Sequence, residues 1–558
     1  MQKRYSIGVD FGTLSGRAVL FDLNSGDSLA SAVMDYPHGV MDRQLPDGTP
    51  LPADFALQHP GDYLEVLSTI LPQVIATAGV DPRDVIGLGL DFTTCTLIPV
   101  DIEGTPLCFL NPYQSTPHAF PKLWKHHSPE ADAQKATRIA KERGETFLSR
   151  YGGKISTEWL LPKMMETLRL APEIYHTAAY FVEAMDFMVW QLTGRLTRSA
   201  SAMGYKALWH KQEGFPTRDF LTRLDPGLAN LYDEKLAGPI LPPGSLAGTV
   251  TPEAAEKFGL APGTAVAAGM PDAHVAASAL RVTKPGTLFC LLGTSGCHML
   301  LGDREVSVPG ICGFVEDGIM PGFYGYEAGQ SCFGDLFGWL VDRQVPAAYK
   351  TEADEKGISL HTLLTQKASA LAPGESGLLA LDWWNGNRSI LVDFDLSGMI
   401  LGMTLLTRPE EIYRALLESA CFGTRMIVEN YKSHGVPVNE IIACGGIARK
   451  NPLLMQILSD ILGLPVRLAA SDQATAQGSA ICGAVAAGSK HGGFDPLEEG
   501  SLAMGRLSDL VYLPDKSRTA VYDQLYKEYA TLHNYFGRGE NDVMKRLRAL
   551  SRKASLHE

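Results

Sequence analysis

Twice along its length the chain breaks an apolar, β-rich run at a glycine–threonine turn and then resumes it. Residues 5–10 form the first run, Phe11-Gly12-Thr13 the turn, and residues 16–22 the return. After Pro285-Gly286 the pattern restarts, with a run over 286–292, a turn at Gly293-Thr294-Ser295-Gly296 and a return over 297–301. Two β-rich runs joined this tightly predict an antiparallel hairpin. A 558-residue chain also exceeds the ~250–300 residues at which a single core stops growing. One hairpin opening each half therefore predicts a duplicated fold with a boundary near residue 281. Two unrelated hairpins are the alternative.

The remaining elements alternate strand and helix. An apolar run over 85–90 contains Gly87 and Gly89, ends at Asp91 and leads to Thr93-Thr94. Residues 120–200 carry helical spacing, and 236–250, rich in Pro and Gly, read as a connecting loop. The small apolar run 264–269 leads to Pro271-Asp272, with a helix expected over 273–280. Thr407-Arg408-Pro409-Glu410 reads as a capping box. After it, Ile412, Ala415, Leu416, Ser419, Ala420, Met426, Ile427 and Tyr431 keep one helical face. Residues 440–444 read as a buried strand ending in Gly445-Gly446, and Asn451-Pro452 opens a helix that runs to Leu462. Residues 474–487 are mostly Ala, Gly and Ser, which permits close helix packing. The basic tail (Lys545, Arg546, Arg548, Arg552, Lys553) reads as a solvated last helix, with a phosphate or partner patch as the alternative.

Charge narrows the partners. Lys plus Arg is 49 against 62 Asp plus Glu, a net charge of −13. That field argues against nucleic acid and anionic membranes, although backbone N–H groups can still hold a phosphate. No apolar stretch is long enough to span a bilayer. The apolar run after Lys3 and Arg4 stops at Asp10, too soon for a signal segment. Nine scattered cysteines without a Cys-x-x-Cys pair read as reduced thiols of a cytoplasmic protein. P-loop, dinucleotide and His-Glu-x-x-His patterns are absent.

What remains for chemistry is acids and hydroxyls at strand ends. Asp10 closes a strand and opens a turn, so core packing does not explain it. It is either an Asx-turn residue or a magnesium anchor. The Gly12-Thr13 and Gly293-Thr294-Ser295 turns offer N–H groups and hydroxyls that could clamp an oligophosphate between them. Asp272, at another strand end, is either a helix N-cap or a general base for attack on a γ-phosphate. Trp383-Trp384-Asn385-Gly386-Asn387-Arg388 reads as a packed turn, and His126-His127 beside Trp124 as surface or interface.

Four motifs then fall in an order and spacing that resemble the FGGY carbohydrate kinases over about residues 5–490. They are Ile7-Gly8-Val9-Asp10-Phe11-Gly12-Thr13 with Ser15 and Arg17; Gly269-x-x-Asp272; Gly293-Thr294-Ser295; and Gly445-Gly446-Ile447 with Asn451-Pro452 and Gln456-x-x-x-Asp460. Within the family, the stretches at 91–96, 272–275, 325–331 and 381–388 are similar to the members that phosphorylate L-ribulose. One departure is Met270-Pro271 before Asp272, where an Asn usually follows the glycine.

The resemblance implies an α/β chain of two actin-like (ribonuclease H-like) domains flanking a catalytic cleft. Residues 1–280 would bind sugar and 281–558 ATP. It implies ATP-dependent, Mg2+-assisted phosphorylation of L-ribulose to L-ribulose 5-phosphate in L-arabinose breakdown, by a cytoplasmic enzyme of a family often found as homodimers. Asp272 would be the general base for the C5 hydroxyl, and Asp10 would hold magnesium through water. Gly12, Thr13, Gly293, Thr294 and Ser295 would hold the phosphates of ATP, Ser15 and Arg17 would also bind ATP, and Gly445, Gly446 and Asn451 would lie against adenosine. Thr94, Lys206 and Glu327 would join Asp272 around the sugar. The alternatives are another FGGY kinase, for xylulose, D-ribulose, ribitol or glycerol, and an actin- or Hsp70-like ATPase indifferent to sugar. A sugar-responsive regulator without catalysis is disfavoured by the presence of both Asp10 and Asp272.

Overall fold

The computed structural model describes residues 4–555. Lys3 lies outside them, as do the side chains of Arg552 and Lys553. Each half of the chain builds one seven-stranded sheet. In the first, Tyr5–Phe11 pairs antiparallel with Ser15–Asp22 and parallel with Val85–Phe92. Ser28–Asp35 extends one side, and Ala265–Ala267, Leu246–Thr249 and Met270–Pro271 complete the other. In the second, Gly286–Leu292 pairs antiparallel with Gly296–Gly302 and parallel with Val438–Cys444. Tyr324–Gln330 and Gly313–Glu316 extend one side, Val466–Ala469 and Leu507–Tyr512 the other. Antiparallel neighbours on one flank and a parallel strand on the other repeat in both sheets. The two hairpins are therefore equivalent parts of a duplicated unit.

Each parallel step needs a crossover. In the first half Pro60–Ala78 supplies it, capped by His59 and ended by Gly79 at φ 65°. In the second half Pro409–Ser433 supplies it, burying Ala415, Leu416, Ala420, Ile427 and Tyr431. Its start is one residue later than the sequence suggests. Arg408 is the N-cap and donates its N–H to Glu411 Oε2 at 2.7 Å. Thr407 instead closes a local turn by accepting the Thr404 N–H.

Other expectations shift in detail. The 236–250 segment is not all loop, because Leu246–Thr249 joins the first sheet. The helix near residue 273 is Asp272–Ala279. The basic last helix, Val543–Ser555, is docked as well as solvated: Lys545 pairs with Asp393 at 2.7 Å, and Arg548 donates to the Phe394 and Leu396 carbonyls. All nine cysteines are free thiols. Among the described residues no helix is long and apolar enough to cross a membrane.

The small-residue helix Ala474–Ala487 lies in sequence between two strands of the second sheet, Val466–Ala469 and Leu507–Tyr512, but packs on the first. Strand alternation makes this possible. Ile7, Val9, Leu88 and Leu90 point into the core shared with Pro60–Ala78. The alternate residues Ser6, Gly8 and Asp10, and Gly87, Gly89 and Asp91, face the helix. A Cβ on Gly8 would lie 1.7 Å from the Ala476 carbonyl oxygen, and one on Gly89 1.9 Å from that of Ser479. The Ser6 hydroxyl donates to the Ala480 carbonyl at 2.7 Å. On its other side, Gly478 meets the carbonyl of Val275 in Asp272–Ala279, 2.1 Å from an added Cβ. Because the obstructing atoms are backbone, they cannot rotate away. Gly89→Ala is expected to lower unfolding free energy by about 1–3 kcal/mol; an unchanged denaturant midpoint would overturn this account of the contact.

Candidate active site

Parallel pairing brings three acids to one edge of the first sheet. Asp10 is opposite Asp91 in register, Met270 is opposite Asp91 on its far side, and Asp272 follows two residues later. Pro271, not Asp272, takes the N-cap position of the next helix. Asp272 is thus its first residue, accepting the Ala273 N–H at 2.7 Å. Burial pushes the Asp272 carboxyl up to about 7, and the neighbouring Asp10 charge adds to the rise. Burial, then Asp10, likewise holds Asp91 well above the carboxylate range. Ser479 donates to Asp91 Oδ2 at 2.6 Å, while Oδ1 is buried without a partner.

Beside these acids lies a charged group drawn from both halves. Lys206, on Ala200–Ala207, meets Glu327, on Tyr324–Gln330, with Nζ 3.2 Å from Oε2. His274 Nε2 lies 3.2 Å from the same oxygen, and its Nδ1 lies 2.9 Å from Ser201 Oγ. Burial penalises both charges of the pair, but each overcomes it for the other. Glu327 is held far below the usual carboxylate range and Lys206 above the usual amine range.

Thr94 sits on a loop fixed by its backbone. Glu183 accepts the N–H groups of Cys95 and Thr96 at 3.0 and 3.1 Å, and Lys163 donates to the Cys95 carbonyl at 2.5 Å. Cys95 is left-handed at φ 64°. The Thr93 and Thr96 hydroxyls lie 3.3 Å apart, but the buried Thr94 hydroxyl has no partner. A buried hydroxyl normally finds one. A ligand rich in hydroxyls would satisfy it.

The two hairpin turns are less open than the sequence suggests. The Gly12 N–H donates to the Ser15 carbonyl at 2.9 Å and the Gly293 N–H to the Ser295 carbonyl at 3.0 Å. Those two amides close their own turns and are unavailable to a phosphate. Thr13 accepts from Trp124 Nε1 at 3.2 Å, whereas Thr294 is exposed. Ser15 and Arg17 are half-buried on the return strand, with Arg17 in register with Asp10. Gly445 is held at φ 98°, where a Cβ would come within 2.6 Å of the Leu292 carbonyl, and Gly446 faces open space. The buried Asn451 side chain is already engaged, capping Pro452–Leu462 at Leu454 N–H (3.0 Å) and donating to Tyr413 Oη (3.3 Å).

Several site residues escaped the sequence reading. Arg388 reaches Glu158 across the halves at 3.5 Å. Against the penalty of burial, Arg388 and then His127 hold Glu158 down to about 2. The tryptophan cluster is therefore packed at Trp383, while Arg388 reaches across to the other half. His126 is not at the surface: it is fully buried, and it and Lys122 each lie 2.9 Å from Glu166 Oε2. No local signal marks these pairs, because the partners are far apart in sequence.

Two clusters could be weighed for a metal. In one, His38 Nδ1 is 2.6 Å from Asp62, and His59 Nδ1 already accepts the Gly61 N–H of its helix. That set buttresses the first turn, where Tyr36 Oη donates to the Gly12 carbonyl and Gln58 to that of Thr13. Magnesium prefers oxygen donors. Asp10 and Asp91, adjacent carboxyl groups with one buried oxygen unpartnered, fit it better.

The chain is similar to known proteins along its whole length. Residues 288–487 match the FGGY family of carbohydrate kinases, C-terminal domain. The chain is 55% identical to a ribulokinase of Halalkalibacterium halodurans, over 99% of this chain and 98% of that one. It is 46% identical to one from Mycolicibacterium smegmatis, over 100% and 98%. Its fold matches a xylulose kinase from Rhodospirillum rubrum at TM-score 0.76 and 23% identity, covering 96% and 99% of the two chains. It also matches Plasmodium falciparum glycerol kinase with ADP at TM-score 0.74 and 17% identity, covering 95% and 98%. The architecture is the two-domain actin-like α/β fold. Its relatives extend along the whole length, and the chain belongs to the FGGY family of carbohydrate kinases, within its ribulokinase group.

Proposed function

We propose that the chain transfers the γ-phosphoryl group of ATP to the C5 hydroxyl of L-ribulose, giving L-ribulose 5-phosphate and ADP. One observation carries this beyond family membership. A carboxylate raised to about 7 stands among the Asp10, Glu327 and Lys206 charges, at the strand-end edge that Asp91 shares with Asp10. Thr94, Lys206 and Glu327 bind the sugar. Lys206 supplies donors and ionised Glu327 supplies acceptors, so together they match both oxygens and protons of a polyhydroxy ligand. Asp272 takes the C5 hydroxyl proton as that oxygen bonds to phosphorus and the bond to the β-phosphate oxygen breaks. Phosphoryl transfer asks chiefly for such positioning and charge stabilisation.

Residues up to 280 form the sugar lobe and those from 281 the nucleotide lobe, with Ala474–Ala487 reaching back to the first. Thr13 and Thr294, with Ser15, Arg17 and Ser295, line the phosphate path, and Gly445 and Gly446 lie beneath adenosine. Asp10 holds magnesium, which when bound neutralises charge on the phosphate oxygens. The enzyme acts in the cytoplasm, in L-arabinose breakdown, with a homodimer as the family's common assembly.

Asp272→Asn should leave calorimetric binding of ATP and L-ribulose largely intact and lower kcat by ~10²–10⁴-fold; retention of more than about a tenth of wild-type kcat would remove Asp272 from the role. Because the base works only when deprotonated, wild-type kcat/KM for the sugar should fall as pH drops through about 7. A flat profile between pH 5 and 8 would contradict it.

Lys206→Ala and Glu327→Ala should each reduce kcat/KM for L-ribulose by at least ~10-fold, from the loss of one buried partner. The KM for ATP should change much less. Equal losses for both substrates would mean that the pair supports closure or folding instead.

A further inference from the structure

Thr475 and Ser479 stand one turn apart on Ala474–Ala487 and meet two acids of the other half. Thr475 Oγ1 donates to Asp10 Oδ2 at 2.8 Å, and Ser479 Oγ to Asp91 Oδ2 at 2.6 Å. Residues i and i+4 of a helix are ~5–6 Å apart, and adjacent strands ~4.8 Å apart. A helix lying across two strands can therefore serve both with consecutive turns. Asp10 and Asp91 are such neighbours, and Gly8 and Gly89 let the helix backbone come close enough for short side chains to reach. A helical threonine commonly turns its hydroxyl back to its own helix. Thr475 instead spends it on an acid 465 residues away.

We propose that Thr475 is a positioning residue for Asp10: its hydroxyl fixes Oδ2 and so sets the direction in which the carboxylate faces the metal and phosphates. This rests on the assignment of Asp10 to magnesium. A partner behind a metal-holding carboxylate orients it, and loss of such a partner commonly weakens metal binding 10–100-fold. Thr475 makes the nucleotide half of the chain a contributor to the acid edge of the sugar half.

The test compares Thr475→Val, which keeps the shape and loses the donor, with Thr475→Ser, which keeps the donor. For Thr475→Val the Mg2+ concentration giving half-maximal turnover should rise ~10–100-fold, with the KM for L-ribulose changed less than about twofold. Thr475→Ser should restore the wild-type response. Independently of turnover, calorimetry should show that Mg2+ strengthens ATP binding in Thr475→Val only at ~10–100-fold higher concentration, while ATP binding in EDTA is unchanged. Thr475→Ala provides the same comparison should the valine variant not fold. A wild-type magnesium response in the valine and alanine variants, or an equal loss in Thr475→Ser, overturns the inference. Asp10→Asn separates the two levels. If it abolishes the magnesium response and Thr475→Val does not, only the role of Thr475 falls. If Asp10→Asn responds like wild type, the magnesium assignment falls and takes the inference with it.

Discussion

Backbone-to-backbone contact between Ala474–Ala487 and the first sheet is the constraint on which the rest of the molecule depends. The helix touches Tyr5–Phe11, Val85–Phe92 and Asp272–Ala279 at once. Those are the elements that carry or precede Asp10, Asp91 and Asp272. Such an approach is open only where Cβ atoms are missing, at Gly8, Gly87, Gly89, Gly478 and Gly483. Dispersion between close-packed backbones is small per atom pair and large in sum. Through it the acid edge is assembled by residues from both ends of the chain.

Electrostatics then separates the two sides of the cleft. Asp91 and Asp272 of the first half sit close to Asp10 and are pushed toward protonation by burial and then by the Asp10 charge. Charge pairs bridge the halves: Lys206 with Glu327, Arg388 with Glu158, and Arg150 with Glu305 at 3.0 Å. Breaking a buried pair by removing one partner leaves an uncompensated charge. These bridges therefore specify how the halves meet more than they add net stability.

The hairpins were legible because a β-rich run, a Gly-Thr turn and a second run form a local pattern. Helix starts were legible to within one residue, the cap before Pro409 shifting from Thr407 to Arg408. Asp10 could be singled out because an acid at the end of an apolar strand has no packing role, whereas Asp272, between a strand end and a helix start, read equally as a cap. The destination of Ala474–Ala487 was not legible: small residues announce a close approach without naming the partner. Gly87 and Gly89 look like interruptions of a strand until the helix that fills their space is seen. Glu158 with Arg388, and His126 with Glu166, unite residues whose sequence neighbours say nothing of each other. Resemblance carried Lys206 and Glu327 where local pattern could not.

Lys206 and Glu327 satisfy each other across the halves. On the proposed sugar site, a ligand would enter between them by exchange, and its hydroxyls would stand in for the partner that each charge gives up. The ion pair would then act as a threshold for occupancy: a molecule presenting too few hydroxyls would leave a charge half-solvated, and the pair would close again.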